Sequence, residues 1–374
     1  ALESTIQDGA EAFRMPARVS VERMDAGTVE DAALAELTGM SGDLTLVAPG
    51  PVDGLPFWVE GRLEAPAVEL AHSGFAEPVR GAVREVRAEA DGAIRVSGAT
   101  LEAAGGELAM EGELPGVAQL VAGLMQEEQE AEAGGGPADM PLEGRFKVRG
   151  KGIDVNRWLG AVALEEEEAE AEAWTGPVRI PEGVDIEVDV QVEDAVYGNV
   201  EIRDLAGRVE LAERAAALRD VSMRAMGGRV ALDGSYDSRP DVPRVAAKLE
   251  LQEIGFAQSY RAMDLVRILA PLMERAQGTY SASLDYESAL RPDLMPDLGT
   301  VKALGSVRTD GFSGSLPAMR ELARLAGRPE LDTLRTSPVN LSFRIEDGWM
   351  QVPPFEVGAA GVGLDVSGRG GLDG

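Results

Sequence analysis

One histidine, His72, and no cysteine bound the chemistry this chain can perform. The common zinc sites and a Cys–His pair are excluded, and any Ser–His triad has to run through His72. Leu70-Ala71-His72-Ser73-Gly74 reads as a strand end entering a turn, so His72 is expected to be an ordinary surface or half-buried side chain. Asp185, Glu187, Asp189 and Glu193 fall on one side of an alternating stretch and could hold a cation. A solvated sheet face explains them more simply, because the alternation itself demands polar residues there. Gly150-Lys151-Gly152 lacks the upstream Gly and following Ser/Thr of a P-loop, and Gly134-Gly135-Gly136 opens no helix after a strand. Gly361-Val362-Gly363-Leu364-Asp365 resembles a calcium-binding nonapeptide, but a single copy builds no stacked β-helix. Asn340-Leu341-Ser342 matches a glycosylation acceptor inside an expected strand. Carboxylates are too numerous for the sequence to select an acid/base pair. The expectation is a protein that is not an enzyme and carries no cofactor or metal.

Charge narrows the partners. The chain of 374 residues has 35 basic and 65 acidic residues, a net charge of −30. Gln126–Asp139 holds five carboxylates and Glu165–Glu172 six, with no basic residue in either; without those eleven the chain is still at −19. Such a surface repels nucleic acid, which is not an expected partner, and keeps the protein soluble. The longest apolar run, Val117 to Met125, is broken by Gln119 and falls well short of the ~18 residues of a spanning helix. No signal peptide is visible and the chain opens on Ala1, so it reads as a fragment of a longer protein.

The elements that must carry any function are mostly strands. Val184-Asp185-Ile186-Glu187-Val188-Asp189-Val190-Gln191-Val192-Glu193 alternates strictly, the mark of a sheet with one dry and one wet face. Leu44–Val47, Phe57–Leu63 and Val68–Leu70 continue the β signal, with Pro49-Gly50-Pro51 and Asp53-Gly54 as turns. Helices are expected at Val29–Leu37, through Val117, Leu120, Val121 and Leu124, after Ile153, over 257–276 and over 316–327. The Glu/Ala-rich stretches 126–139 and 165–173 have no apolar stripe and are expected to be mobile loops inserted in the first module.

The chain repeats itself. Thr100–Gly112 and Ser222–Gly234 share strand, Gly-Gly turn, strand, acidic residue and Gly, while Glu102 and Glu107 are replaced by Arg224 and Arg229. What persists is apolar pattern and turn, which is what a structural repeat needs. Each copy runs on toward a helix.

The C-terminal part holds the most recognisable unit. Gly311-Phe312-Ser313-Gly314-Ser315-Leu316-Pro317 precedes a short amphipathic helix; Val339–Ile345 alternates into the Asp347-Gly348 turn, and Gly368 to Leu372-Asp373-Gly374 closes the meander. This order resembles the C-terminal region of AsmA-like proteins, related to the AsmA/TamB group, well over Ile180–Gly374 and more loosely before. The resemblance implies a bacterial envelope protein, periplasmic and held to the inner membrane by an N-terminal helix that would lie upstream. It also implies β-rich repeats forming a long groove, with a role in outer-membrane assembly or lipid movement.

The expected architecture is therefore mainly β with several packed helices (α+β), as repeated antiparallel β modules curled into an elongated groove or taco-like sheet. Three parts are expected: 1–179, 180–298 and 299–374. If the dry faces hold phospholipid or another acyl lipid, Ile186, Val188, Val190, Leu249, Leu251, Leu341, Phe343 and Ile345 would touch it; the same residues would equally make a plain core. Two other readings stay open: an envelope scaffold that binds protein through open sheet edges, and a hydrolase using two carboxylates roughly 5–10 Å apart.

Overall fold

The computed structural model describes residues 13–29, 32–53, 55–70, 79–103, 105–122, 142–157, 179–180, 182–262, 276–291, 295–311, 313–314, 334–359 and 362–372. It is mainly β, and the chain divides into two compact units. The first unit holds Ala1–Ala169, Ile180–Ala195 and Arg208–Arg214; the second holds Glu170–Arg179, Val196–Gly207 and Ala215–Gly374.

In the first unit, β1 (Phe13–Val29), β2 (Ala32–Ala48), β3 (Trp58–Leu70), β4 (Val79–Ala88), β5 (Ile94–Ala103), β6 (Gly106–Leu114) and β7 (Leu142–Lys151) pair antiparallel, each with the next. A two-residue β8 (Ile153–Asp154) follows, and then β9 (Val184–Tyr197), which runs parallel to β7. Its partner β10 (Val200–Ala212), like β9, has residues in both units. The second unit continues with β11 (Ala215–Ala225), β12 (Gly228–Asp237), β13 (Arg244–Gly255), the helix α1 (Phe256–Ala262), β14 (Thr279–Ala289) and β15 (Lys302–Thr309). β16 (Ser313–Gly314) and β17 (Leu334–Arg335) form a separate two-stranded ribbon. β18 (Val339–Glu346) then pairs with β15, and β19 (Trp349–Ala359) and β20 (Val362–Gly371) complete the meander.

Alternation decides which side of each strand is dry. Along β18 the pattern is strict, with Val339, Leu341, Phe343 and Ile345 buried or half-buried and every residue between them exposed. β13 alternates in the same way from Val245 to Leu251. Two tighter cores sit where helical segments meet the sheet. In the first unit, Leu55 and Trp58 pack with Ala118 and Ala122 of the helical segment 117–122. In the second, Ile254 and Phe256 pack with Ala225, Val230, Ala276 and Tyr280.

Several packed helices were expected, and the structure does not bear that out. Among the described residues helix is confined to Phe256–Ala262, 117–122 and 155–157, plus a 3-10 turn at Leu298–Thr300. The expected helix at Val29–Leu37 is instead the hairpin of β1 and β2, whose register runs from Val29↔Ala32 to Phe13↔Ala48. Leu37 and Thr38 of β2 are also paired with Val68 and Ala67 of β3, so pairing on two sides overrides the local 3.6 spacing. The expected helix 257–276 begins as α1, and its stretch 263–275 lies outside the described residues, as do 316–327, His72 and both acidic stretches. No helix among the described residues is long and apolar enough to cross a membrane.

The internal repeat is real and longer than its sequence signature. β5–β6–β7 and β11–β12–β13 carry the same bulge, between Val96/Ala99 in one and Leu218/Val221 in the other, with Gly98 and Asp220 at φ 63° and 51°. The turn is one residue earlier than a Gly-Gly connection would place it. Register Ala103↔Gly106 and Ala225↔Gly228 puts the second glycine of each pair in the returning strand and makes Met226-Gly227 the central pair of the second copy. The second glycine of each copy answers to close approach: a Cβ on Gly106 would stand 2.5 Å from Gly152 O, and one on Gly228 2.2 Å from Gln252 O.

Candidate functional site

The dry face of the first unit is built from lateral rows. Val19, Gly42, Leu63, Val86, Val96, Gly112, Phe146 and Val188 are register neighbours in turn from β1 to β9. In an adjacent row, Leu44 of β2 pairs with Gly61, Gly61 with Ala88, Ala88 with Ile94 and Ile94 with Leu114. Leu114 meets Gly144, where a Cβ would lie 3.0 Å from Leu114 Cδ2, and Gly144 pairs with Ile186. Residues separated by two along each strand thus form apolar stripes across the strands.

That second row floors a cavity of about 510 Å³. Leu44, Gly61, Ala88 and Ile94 contribute from the sheet, with Leu63 and Val86 beside them. Leu55 and Phe57 enter from the loop before β3, Trp58 and Val59 from the start of β3 itself, and Val117 and Val121 from the helical segment. The segment is clipped to the β4–β5 turn: Ala118 N–H donates to Gly92 O at 3.0 Å, and a Cβ on Gly92 would lie 2.3 Å from Ala118 Cβ. Trp58 is held by its own donor, Nε1–H to Glu89 O at 2.8 Å. No charged side chain lines the cavity. Its size is that of an ordinary small-molecule site.

The sequence-predicted residues fall on the dry faces. Ile186, Val188 and Val190 are half-buried on β9 beside Gly144, Phe146 and Val148 of β7. In the second unit, Leu249, Leu284, Gly305 and Phe343 form one row across four strands, and Leu251, Ala282, Val307 and Leu341 the next. Leu249 and Leu251 also pack against the core under α1. Ile345 pairs with Ala303 and lines a more polar cavity of about 550 Å³ with Arg344, Lys302 and Asp285. Sequence reading missed the 44–121 cavity altogether. Phe57-Trp58-Val59 and Val117–Val121 were visible as apolar stretches, but about sixty residues separate them and no periodicity announces that they meet.

The wet face of the first unit is tied by cross-strand charges. Arg18, Asp43, Arg62, Arg87, Arg95, Glu113, Arg145 and Glu187 are register neighbours in turn from β1 to β9. Arg208 bridges Glu187 at 3.3 Å and Asp189 at 3.0 Å, and Lys151 bridges Glu193 at 3.4 Å. The acidic side of β9 is thus matched by cations of neighbouring strands. Among the described residues no group of three or more His, Asp or Glu is disposed to hold a metal ion. In the second unit, Arg239 hydrogen-bonds Asp237 through side chain and backbone and pulls its carboxyl down to about 2, opposite to what a general acid requires.

No family model matches the chain, and no curated protein or solved structure is significantly similar to it.

Proposed function

We propose that this chain is the periplasmic part of an AsmA-like envelope protein that takes part in outer-membrane assembly or in phospholipid transport between membranes. In this reading the dry faces form an apolar groove that holds acyl lipid, and the inner membrane is reached through an anchor outside this sequence. The observation that carries it is the 44–121 cavity, wholly apolar and continuous along its lateral row with Ile186. Ile186, Val188 and Val190 of β9 are half-buried and not sealed off. The resemblance of the C-terminal part to AsmA-like proteins supplies the envelope setting.

Native mass spectrometry with lipid extraction, on protein purified from bacterial cells, tests the proposal. Co-purifying phospholipid that is lost in Val188→Asp or Leu341→Asp, with the fold retained by circular dichroism, is the expected result. Lipid-free protein rejects it.

A second reading, an envelope scaffold that binds protein without lipid transfer, is favoured by β20. Its residues 363 and 365–371 are exposed, and a Cβ placed on Gly363, Gly368 or Gly370 would meet nothing within 4 Å.

A further inference from the structure

The cavity of the first unit has a chemistry narrower than "apolar". Its side chains are aliphatic or aromatic, and their one polar hydrogen, on Trp58 Nε1, is already donated to Glu89 O. A phosphate, carboxylate or hydroxyl placed inside would give up its water and find no partner, whereas a hydrocarbon gives up nothing. The hollow has a definite cause. Gly61 sits at φ 133° with its would-be Cβ 2.2 Å from Asp43 O, so the row that continues with Ala88 and Ile94 has no side chain at that point. On the far side of Ile94 the same row runs through Leu114 and Gly144 to Ile186. An extended chain can therefore leave the cavity along an apolar stripe, which a compact ligand would not use.

We infer that this cavity is a tail-end seat: it takes the terminal part of one unbranched acyl chain, methyl end first, and keeps the polar group outside. The inference rests on the lipid-holding reading above and names the place and direction of binding. Ala118 acts as a positioning residue, since it is buried and packs with Leu55 to brace the helical segment that closes the cavity.

The test uses the full chain with Trp158, Trp174 and Trp349 changed to Phe, leaving Trp58 as the sole indole. The probes are phosphatidylcholines dibrominated either near the terminal methyl or near the carbonyl of one acyl chain, with bound lipid counted by native mass spectrometry. Terminal bromines should quench Trp58 at least twofold more than carbonyl-proximal ones. Ala88→Phe, which fills the cavity, should remove most of that quenching; Val86→Leu, a smaller filling, serves if Ala88→Phe does not fold. Lipid that binds with equal quenching from both probes, or with quenching indifferent to cavity filling, overturns the seat and leaves the lipid-holding reading standing. No bound lipid at all overturns both.

Discussion

The ring of Phe343 on β18 lies over Gly305 on β15, where a Cβ would stand 2.2 Å from Phe343 Cζ. The first unit does the same thing: a Cβ on Gly112 of β6 would be 2.3 Å from Cδ1 of Phe146 on β7. In both places an aromatic ring occupies the space its cross-strand glycine leaves empty, so the ring covers backbone instead of standing off the sheet. Gly305→Ala should cost about 1–3 kcal/mol by overpacking. The double variant Gly305→Ala/Phe343→Leu should recover part of that loss. Urea unfolding of the four proteins of the cycle measures the coupling, and strictly additive losses would show that ring and glycine do not share that space.

The repeat makes a second prediction, because its two copies solve one backbone problem differently. After β7 the chain turns through Gly152 at φ 67°; after the matching part of β13 it turns through Glu253 at φ 56°. Each is followed by a buried isoleucine, Ile153 and Ile254. A side chain in this left-handed region costs roughly 1–2 kcal/mol, partly offset by the extra unfolded-state freedom of glycine. Glu253→Gly should therefore stabilise by up to about 1 kcal/mol, and Gly152→Glu should destabilise by a similar amount. Crowding is not the cause at Gly152, where a Cβ would find its nearest neighbour at 3.7 Å. Thermal unfolding of both variants checks the opposed signs.

These two cases also show where the sequence was readable. Period-2 alternation in Val184–Glu193 and Val339–Ile345 identified strands and their dry sides, because a strand's facing is a local property. The repeat was legible at Thr100–Gly112 and Ser222–Gly234, yet its bulges at Gly98 and Asp220 were not, since one copy uses glycine and the other aspartate for the same φ. Register was not legible at all. That Phe146 should face Gly112, or Gly61 lie between Leu44 and Ala88, depends on which strands pair and at what offset. The helix expected at Val29–Leu37 failed for the same reason: local spacing is silent about two neighbouring strands.

The charged row on the wet face should contribute little to stability. Arg95 meets Glu113 at 3.3 Å and Glu89 at 3.0 Å, and its side chain is 53% exposed. Ion pairs in so exposed a setting add little, and added salt weakens them further. Arg95→Gln also relieves a like-charge pairing, because Arg87 lies directly opposite. The net loss should be small in low salt and vanish near about 1 M sodium chloride. A loss that persists at high salt would point to a packing role for the Arg95 stem.

Tyr280 should contribute to the alkaline limit of the second unit. Its ring packs on Phe256 at a centroid distance of 5.1 Å, and burial pushes its phenol up, against a smaller downward pull from its hydrogen bond with Ser259. A raised folded-state pKa means that the native state keeps a proton the unfolded chain releases. The associated stability is whole below the unfolded value of about 10 and is lost as pH climbs through the folded one. Tyr236 is shifted the same way by burial, so Tyr280→Phe should shallow the alkaline decline without abolishing it. Near pH 8 the same variant should cost about 0.5–1.5 kcal/mol, the contribution of the lost Ser259 bond. Guanidinium unfolding at steps from pH 8 to 11 separates the two effects: a constant offset belongs to the hydrogen bond, and a gap that narrows above pH 10 belongs to the buried phenol. Parallel curves across the whole range would leave Tyr280 with no part in the alkaline transition.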